Sequence, residues 1–439
     1  MPLPNILYLH SHDTGRFIQP YGHDIPTPNL RKLAEEGVLF RQAFCAAPTC
    51  SPSRAALLTG QSAHSSGMIG LAHWNFALAD YSQHLIHTLQ AAGYLAVLAG
   101  QQHVAADPAR IGYDRILGNL WDDIDGQAAS FLEEVAQDGS SRPFFLDAGF
   151  FETHRVGSGL FNDPGPQGDP RYSLPAPPLP DTFRTRQDMA DFKVSAARLD
   201  QKMGRILRTL ESTGLAENTL VICTTDHGIA FPRMKCNLTD AGIGVLLILR
   251  GPGGFGGGKV CDSLVSHVDL FPTVCEVAGV EAPPWLQGHS IVPLVSGEAA
   301  EIREEIFAEV TYHAAYEPQR AVRTRRWKYI RRWGDRGYPV LCNCDDSLSK
   351  EVWVEAGWAN RIVPVEQLYD MLYDPHETNN LASEAAMAPI LQEMQGRLDR
   401  WMKETNDPLL RGPVPIPAGC SVCHPDSLSV AEDRRVNGS

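Results

Sequence analysis

The chain has 439 residues, 43% apolar and 21% charged, values of an ordinary globular protein that exclude disordered, collagen-like and coiled-coil chains. Thirty-eight Lys and Arg against 52 Asp and Glu leave a net charge of −14, which argues against general affinity for nucleic acid or an anionic membrane. No apolar run approaches the roughly 20 residues of a membrane span, the opening Met1–Asn5 lacks a basic leader, and ten cysteines are too sparse for a disulfide scaffold, so a cytoplasmic protein with reduced thiols is expected.

In chain order, Asn5–His10 reads as a buried strand, Asn29–Glu36 and Tyr81–Ala92 as helices, and Tyr94–Gly100 as a second strand. A helix over Asp123–Gln137 precedes the strand Pro143–Phe150; a Pro- and Gly-rich surface loop, Gly157–Pro180, then leads into a helix over Met189–Thr213. Strands follow at Thr219–Thr225 and Val245–Leu249. The string Gly251–Lys259 approaches a phosphate loop, but Val260 stands where Ser or Thr should meet Mg²⁺, so it reads as a connector. From about Glu305 the texture changes to a basic, aromatic strand over Arg320–Ile330, an apolar patch over Glu366–Tyr373 and an amphipathic helix over Ala388–Glu404 with Pro389 in its first turn. Alternating strands and helices predict an α/β fold: a large, mainly parallel sheet flanked by helices over residues 1–304. A smaller C-terminal α+β subdomain is predicted over 305–407, and a Pro- and Ser-rich, loosely packed tail over 408–439.

Ligands of open parallel sheets bind beyond the carboxyl ends of the strands. Four predicted strands end in polar, titratable strings: His12-Asp13, Gln101-Gln102-His103, Glu152-Thr153-His154 and Asp226-His227-Gly228. Together they point to one cleft with O and N ligands for a divalent cation; singly, Asp13 and Asp226 read equally well as helix N-caps. Cys50-Ser51-Pro52-Ser53-Arg54 leads into the short apolar helix Ala55–Gly60. A helix N-terminus favours an oxyanion and lowers the pKa of a cysteine placed there.

At these residues the chain resembles the sulfatase family of the alkaline phosphatase superfamily, whose signature Cys-x-Pro-Ser-Arg-x-x-x-Leu-Thr-Gly is met in full by Cys50–Gly60. The similarity runs from about Asn5 to Asp407, with further marks at Asp269–Ala278, Gly288–Leu294 and Leu368–Leu381. Within the family it is nearest to the sulfamidase branch, through Cys50–Gly67, Phe231-Pro232, Asn237-Leu238 and Thr405–Pro408. The resemblance implies that a sulfatase-maturing enzyme oxidises Cys50 to formylglycine, whose hydrated aldehyde attacks sulfur. It assigns Arg54 to the diol, His103 to the diol proton, and His154 and Lys235 to the leaving oxygen and the sulfate. One divalent metal (Ca, Mn, Zn or Mg) would be held by Asp13, Asp226, His227 and His12, and the substrate would be a small anionic ester.

Two departures from the family pattern stand out. His12-Asp13 replaces the usual Asp-Asp and His227 the frequent Asn, so the site is richer in nitrogen and tilted away from Ca²⁺ toward Mn²⁺, Zn²⁺ or Fe²⁺. Gln101 stands where sulfatases usually place a lysine. Three functions stay open: hydrolysis of a sulfate ester or sulfamate; hydrolysis of a phosphonate monoester or phosphodiester; and anion binding without catalysis. His73 and Trp74 are candidates to line the pocket. Cys342, Cys344, Cys420 and Cys423 read as plain thiols or a clamp on the tail. The cations Arg320, Arg323, Arg325, Arg326, Lys328, Arg331 and Arg332 read as a solvated edge strand.

Overall fold

The computed structural model describes residues 3–118, 123–139, 142–161, 165–432 and 434–438. Met1 and Pro2 of the opening string, residues 162–164 of the Pro- and Gly-rich loop, and residues 433 and 439 of the tail lie outside the described residues. The strands in chain order are β1 (Asn5–Ser11), β2 (Val38–Phe40), β3 (Ala43–Phe44), β4 (Leu95–Gly100), β5 (Arg115–Leu117), β6 (Phe144–Gly149), β7 (Thr219–Thr225), β8 (Leu247–Arg250), β9 (Lys259–Cys261) and β10 (Val265–Ser266). There follow β11 (Glu305–Tyr312), β12 (Tyr316–Thr324), β13 (Trp327–Arg332), β14 (Glu366–Asp370), β15 (Ser421–Cys423) and β16 (Arg435–Asn437).

Eight of these form one sheet in the order β5-β4-β6-β1-β7-β8-β2-β9. It is parallel except at β8, which runs antiparallel to β7 and β2. Successive side chains of a strand face opposite ways, and β1 shows it: Ile6 and Tyr8 join one apolar cluster, Leu7 and Leu9 another. Helices Ile124–Asp138 and Phe183–Ser212 cover the second face with Phe131, Leu132, Leu199, Met203 and Ile206. Helices Cys50–Thr59 and Leu270–Ala278 lie on the first. The antiparallel sheet β11-β12-β13-β14 and helix Ala388–Glu404 extend that first cluster with Val310, Tyr312, Tyr329 and Leu398, so both sheets share one core.

Several expectations need correction. The helix expected from Met189 begins at Phe183, because Thr182 and Thr185 form a reciprocal capping box. The stretch Tyr81–Ala92 splits at His84, whose ring accepts from the Ile86 N–H and caps a helix over Leu85–Ala91. The basic string is no solvated edge. It forms two inner strands, β12 and β13, joined at Arg325-Arg326, and Arg320, Arg323 and Lys328 are buried. Arg320 grips Asp407 (2.6 and 3.1 Å) and Glu309 (3.2 Å), Arg323 meets Asp240 (3.1 Å), and Lys328 bridges Asp240 and Glu377 (2.7 and 2.9 Å). Nor is the tail loose: Cys420, Val422 and Cys423 are buried, and Cys423 packs with Cys342, Ala314 and Val340.

Candidate active site

Because β1, β4, β6 and β7 are parallel neighbours, their carboxyl ends lie along one sheet edge, and the four polar strings converge there. The backbone bends sharply to deliver them. Asp13 (φ 51°), His103 (φ 57°), Arg233 (φ 65°) and Cys236 (φ 63°) all take left-handed conformations without being glycine. Each costs roughly 1 kcal/mol, and such outliers gather at functional sites.

Cys50 opens the helix Cys50–Thr59 after an extended Thr49. It is 2% exposed, and its Sγ lies 3.5 Å from His227 Nε2. Burial would raise its pKa, but the Lys235 charge and the neighbouring rings of His103, His12 and His154 bring the thiol well below its ordinary value. One turn along the helix, Arg54 is buried and donates to the Ser11 carbonyl (2.9 Å), to Asp226 Oδ2 (3.1 Å) and to His10 Nδ1. His10 in turn donates from Nε2 to Asp147 (2.6 Å), whose other oxygen takes the Tyr113 hydroxyl (2.6 Å). Burial lowers the His10 pKa, which suits the neutral ring this relay requires.

Asp13, Cys50, Asp226 and His227 bring ligand atoms within 4.8 Å of one another, as do His12, Asp13, Cys50 and His154. Asp226 Oδ1 accepts from the Asp13 and His227 amides (2.8 and 2.9 Å), so it is no helix cap. His12 Nδ1 lies 3.0 Å from Asp226 Oδ2 without hydrogen-bond geometry; both its ring nitrogens and Asp13 Oδ1 are buried without a hydrogen-bond partner. Burial and Arg54 oppose charge on His12, yet Asp226 and Asp13 raise it to about 10. Against burial, the same carboxylates raise His227 to about 9. Two carboxylates and two imidazoles thus converge with buried, unpartnered ligand atoms, a donor set that fits a divalent metal, whose binding would displace ring protons.

Lys235 Nζ is pinned between Asp13 Oδ2 (2.8 Å) and Asp345 Oδ2 (2.9 Å), and these carboxylates overcome burial to hold its pKa well above the usual value. His154 Nε2 is 3.4 Å from that ammonium, while its Nδ1 faces the Arg155 carbonyl. His103 Nε2 pairs with His73 Nδ1 at 2.9 Å, the rings stacked. A cleft of about 410 Å³ is lined by Cys50, His73, Trp74, His103, His154 and Lys235. Gln101 is half-buried just beyond β4, its backbone N–H donates to the Gly149 carbonyl, and it is not among the residues lining the cleft. A larger cavity, about 510 Å³ around Gln287, Arg303 and Trp401, contains none of the strand-end residues; chemistry, not size, marks the site.

Sequence reasoning missed His10, Asp147, His313 and Asp345. The signal for the first two was a polar residue inside an otherwise apolar strand run. His313 and Asp345 line the cleft but belong to loops of the second sheet's side, and no motif announced them.

Comparison with known proteins agrees with this geometry. The sulfatase family profile matches residues 4–280, and the profile described as N-sulphoglucosamine sulphohydrolase, C-terminal, matches residues 234–344. The human N-sulphoglucosamine sulphohydrolase is 30% identical, covering 93% of this chain and 92% of its own. An ulvan-active sulfatase of Formosa agariphila is 27% identical, over 92% of this chain and 75% of its own. A protein solved in complex with its substrate D-glucosamine-2-N,6-O-disulfate superposes with a TM-score of 0.70 at 21% identity, covering 94% and 99% of the two chains, and shares the fold. With more than half its length matched by one family and a near full-length relative in it, the chain belongs to the sulfatase family of sulfuric ester hydrolases.

Proposed function

We propose that the protein hydrolyses a sulfate ester or sulfamate of a small sugar-like molecule, with formylglycine made from Cys50 by a maturing enzyme and one divalent metal held by Asp13, Asp226, His227 and His12. The observation that carries this reading is the position of Cys50: a buried helix N-terminus, 3.5 Å from His227, facing Lys235 and His154. When in place, the hydrated aldehyde would supply paired hydroxyls, one to attack sulfur and one whose deprotonation frees the sulfate, and the metal a Lewis acid.

The chain's own residues do the rest. Arg54, kept in place by His10 and Asp226, presents a fixed guanidinium beneath position 50. Lys235, held charged, stabilises the negative charge that builds on the transferring group. His154 Nδ1 donates to a carbonyl, so Nε2 is the nitrogen free to take up a proton and pass it to the departing oxygen or nitrogen. His103, steadied by His73, faces Cys50 and takes a proton from the nucleophile's side. A cytoplasmic setting belongs to the same reading, since ten cysteines in 439 residues are too sparse for a disulfide scaffold.

The test is the mass of the tryptic peptide Gln42–Arg54 from protein made in its own host, with Cys45 as the internal unmodified control. CHO in place of CH₂SH at position 50 is expected, together with turnover that Cys50→Ala abolishes. Two intact thiols after co-expression with a maturing enzyme would refute the reading, and persistent turnover by Cys50→Ala would refute the nucleophile. His12, His227 and the glutamine at position 101 favour a second reading, hydrolysis of a phosphonate monoester or phosphodiester. Rates on aryl sulfate and aryl phosphonate decide between them: a large sulfate preference rejects the second.

A further inference from the structure

Turns ordinarily run over a protein surface, but the one that joins β11 to β12, His313-Ala314-Ala315, is buried: Ala314 and Ala315 are fully covered and His313 is 7% exposed. Its backbone finds partners inside the molecule. The Ala315 N–H donates to Asn343 Oδ1 (2.8 Å), and the Ala315 carbonyl accepts from the His313 N–H (3.3 Å) and from Asn343 Nδ2 (3.4 Å). Asn343 is fixed in turn by donating to Glu317 (2.8 Å). The Ala314 carbonyl accepts from the Cys423 N–H (2.7 Å). The C-terminal segment that brings Cys423 is itself tied down: Asn75 Nδ2 donates to the Gly419 carbonyl (3.0 Å), Lys350 Nζ to the Leu428 carbonyl (2.7 Å), and the Arg435 guanidinium lies 4.5 Å over the Trp74 ring.

The imidazole is the exception to this satisfaction. His313 lines the cleft with Cys50, Trp74, His154 and Lys235, and its Nδ1 is buried without a hydrogen-bond partner. Burial, and after it the Lys235 charge, bring its pKa down to about 4, so at neutral pH the ring is uncharged and carries one proton. A sealed N–H with nothing to accept it is rarer in folded proteins than a sealed lone pair. The proton therefore belongs on Nε2, and the ring offers the cleft a neutral donor. A buried polar ring that the protein positions but leaves open calls for a partner from outside.

We propose that His313 binds the leaving group, donating from Nε2 to a hydroxyl oxygen and so selecting a hydroxylated ring over a bare one. The inference rests on the hydrolase reading above and deepens it. The groups assigned to the sulfate are tied to one another: Lys235 to Asp13, Arg54 to Asp226, and Cys50 to His227. His313 takes no part in those contacts and arrives from the other sheet, with the rest of the cleft before it. An uncharged donor suits an uncharged oxygen there, and the cleft of about 410 Å³ holds one ring with its sulfate.

The experiment measures kcat/KM of wild type, His313→Leu and His313→Gln on two matched pairs: glucosamine N-sulfate with cyclohexylsulfamate, and glucosamine 6-sulfate with cyclohexylmethyl sulfate. Inorganic sulfate, as a competitive inhibitor, reads the anion pocket alone, and thermal unfolding shows whether each variant has folded. Wild type is expected to favour the hydroxylated member of the pair it turns over at least tenfold. His313→Leu should lose about tenfold on that member and less than twofold on the bare ring, with sulfate inhibition changed less than twofold. His313→Gln, which keeps an N–H donor, should recover at least threefold of that loss. Should His313→Leu not fold, His313→Phe, a flat ring without nitrogen, takes its place. Equal losses on both members of a pair, or loss of sulfate inhibition in a folded variant, overturn the proposal. Where none of the four compounds is turned over, calorimetry decides: wild type must bind glucosamine N-sulfate about tenfold more tightly than cyclohexylsulfamate and His313→Leu must not, and equal binding by wild type overturns the proposal. A protein that carries the aldehyde at position 50 and binds inorganic sulfate, yet turns over no sulfated compound, refutes the hydrolase reading instead.

Discussion

His154 and Lys235 sit 3.4 Å apart, yet their surroundings give them different work. Two carboxylates hold the Lys235 proton in place, so in the proposed reaction it contributes charge; the partly exposed His154, with Nδ1 committed to a carbonyl, is proposed to relay a proton through Nε2. His154→Asn is therefore expected to slow cleavage of an alkyl or sugar sulfate about 10²–10⁴-fold. It should slow 4-nitrophenyl sulfate, whose phenolate departs unprotonated, far less; equal losses on both substrates would remove His154 as the acid. The metal set makes a second residue-scale prediction. Chelation should abolish turnover, and Mn²⁺ or Zn²⁺ should restore it better than Ca²⁺, because two of the four donors are imidazoles; the pair His12→Asp with His227→Asn should reverse that order in activity measured against each metal. Much of this site was legible, since His12, Asp13, His103, Asp226 and His227 stand at the ends of recognisable strands. The relay behind Arg54 was not. His10 and Asp147 lie within apolar runs, and only the parallel pairing of β1 with β6 brings them to 2.6 Å. His10→Ala should lower kcat/KM roughly tenfold by freeing Arg54, the loss of one hydrogen bond to a charged group, with the peptide mass at position 50 unchanged.

At the scale of elements, the inner strands β12 and β13 show why charge patterns mislead. A string of seven cations reads as surface until the partners of its three buried members, Arg320, Arg323 and Lys328, are known: Asp240, Glu309, Glu377 and Asp407. Glu309 also accepts from the His64 amide and ring (3.0 and 2.9 Å). Burial opposes ionisation, but His64 and Arg320 hold its pKa at about 2, below its unfolded value near 4.3. A depressed carboxylate contributes stability that is complete above the unfolded value and is lost as pH falls toward the folded one. Glu309→Gln should therefore destabilise the protein by about 2 kcal/mol at neutral pH, less than a fully orphaned buried charge because Asp407 still holds Arg320. Urea unfolding at pH 7 and pH 3 checks this: the gap between the two proteins should narrow at pH 3, and a constant gap would clear Glu309 of the acid sensitivity. Helix starts were misplaced for a simpler reason. Thr182 and His84 act through local caps, which override the apolar periodicity used to bound those helices.

Across the whole molecule, the parallel sheet was readable because its strands are apolar runs separated by helices, and one apolar cluster joins the two sheets. The tail was not readable, because its anchors are backbone carbonyls and a cation over Trp74, features without a compositional signature. The grip of Arg320 on Asp407 also sets a schedule. Asp407 is among the last acidic residues made, and until it leaves the ribosome Arg320 lacks its bidentate partner. At about 5–20 residues per second, the interval between residue 50 and residue 407 is roughly 20–70 seconds. Cys50 is 2% exposed in the finished protein, so the proposed maturing enzyme is expected to reach it within such an interval. Substitutions at Arg320 or Asp407 that slow closure of the finished fold are therefore expected to raise the fraction of chains modified at Cys50 when the proposed maturing enzyme is scarce, read as the mass of the peptide Gln42–Arg54.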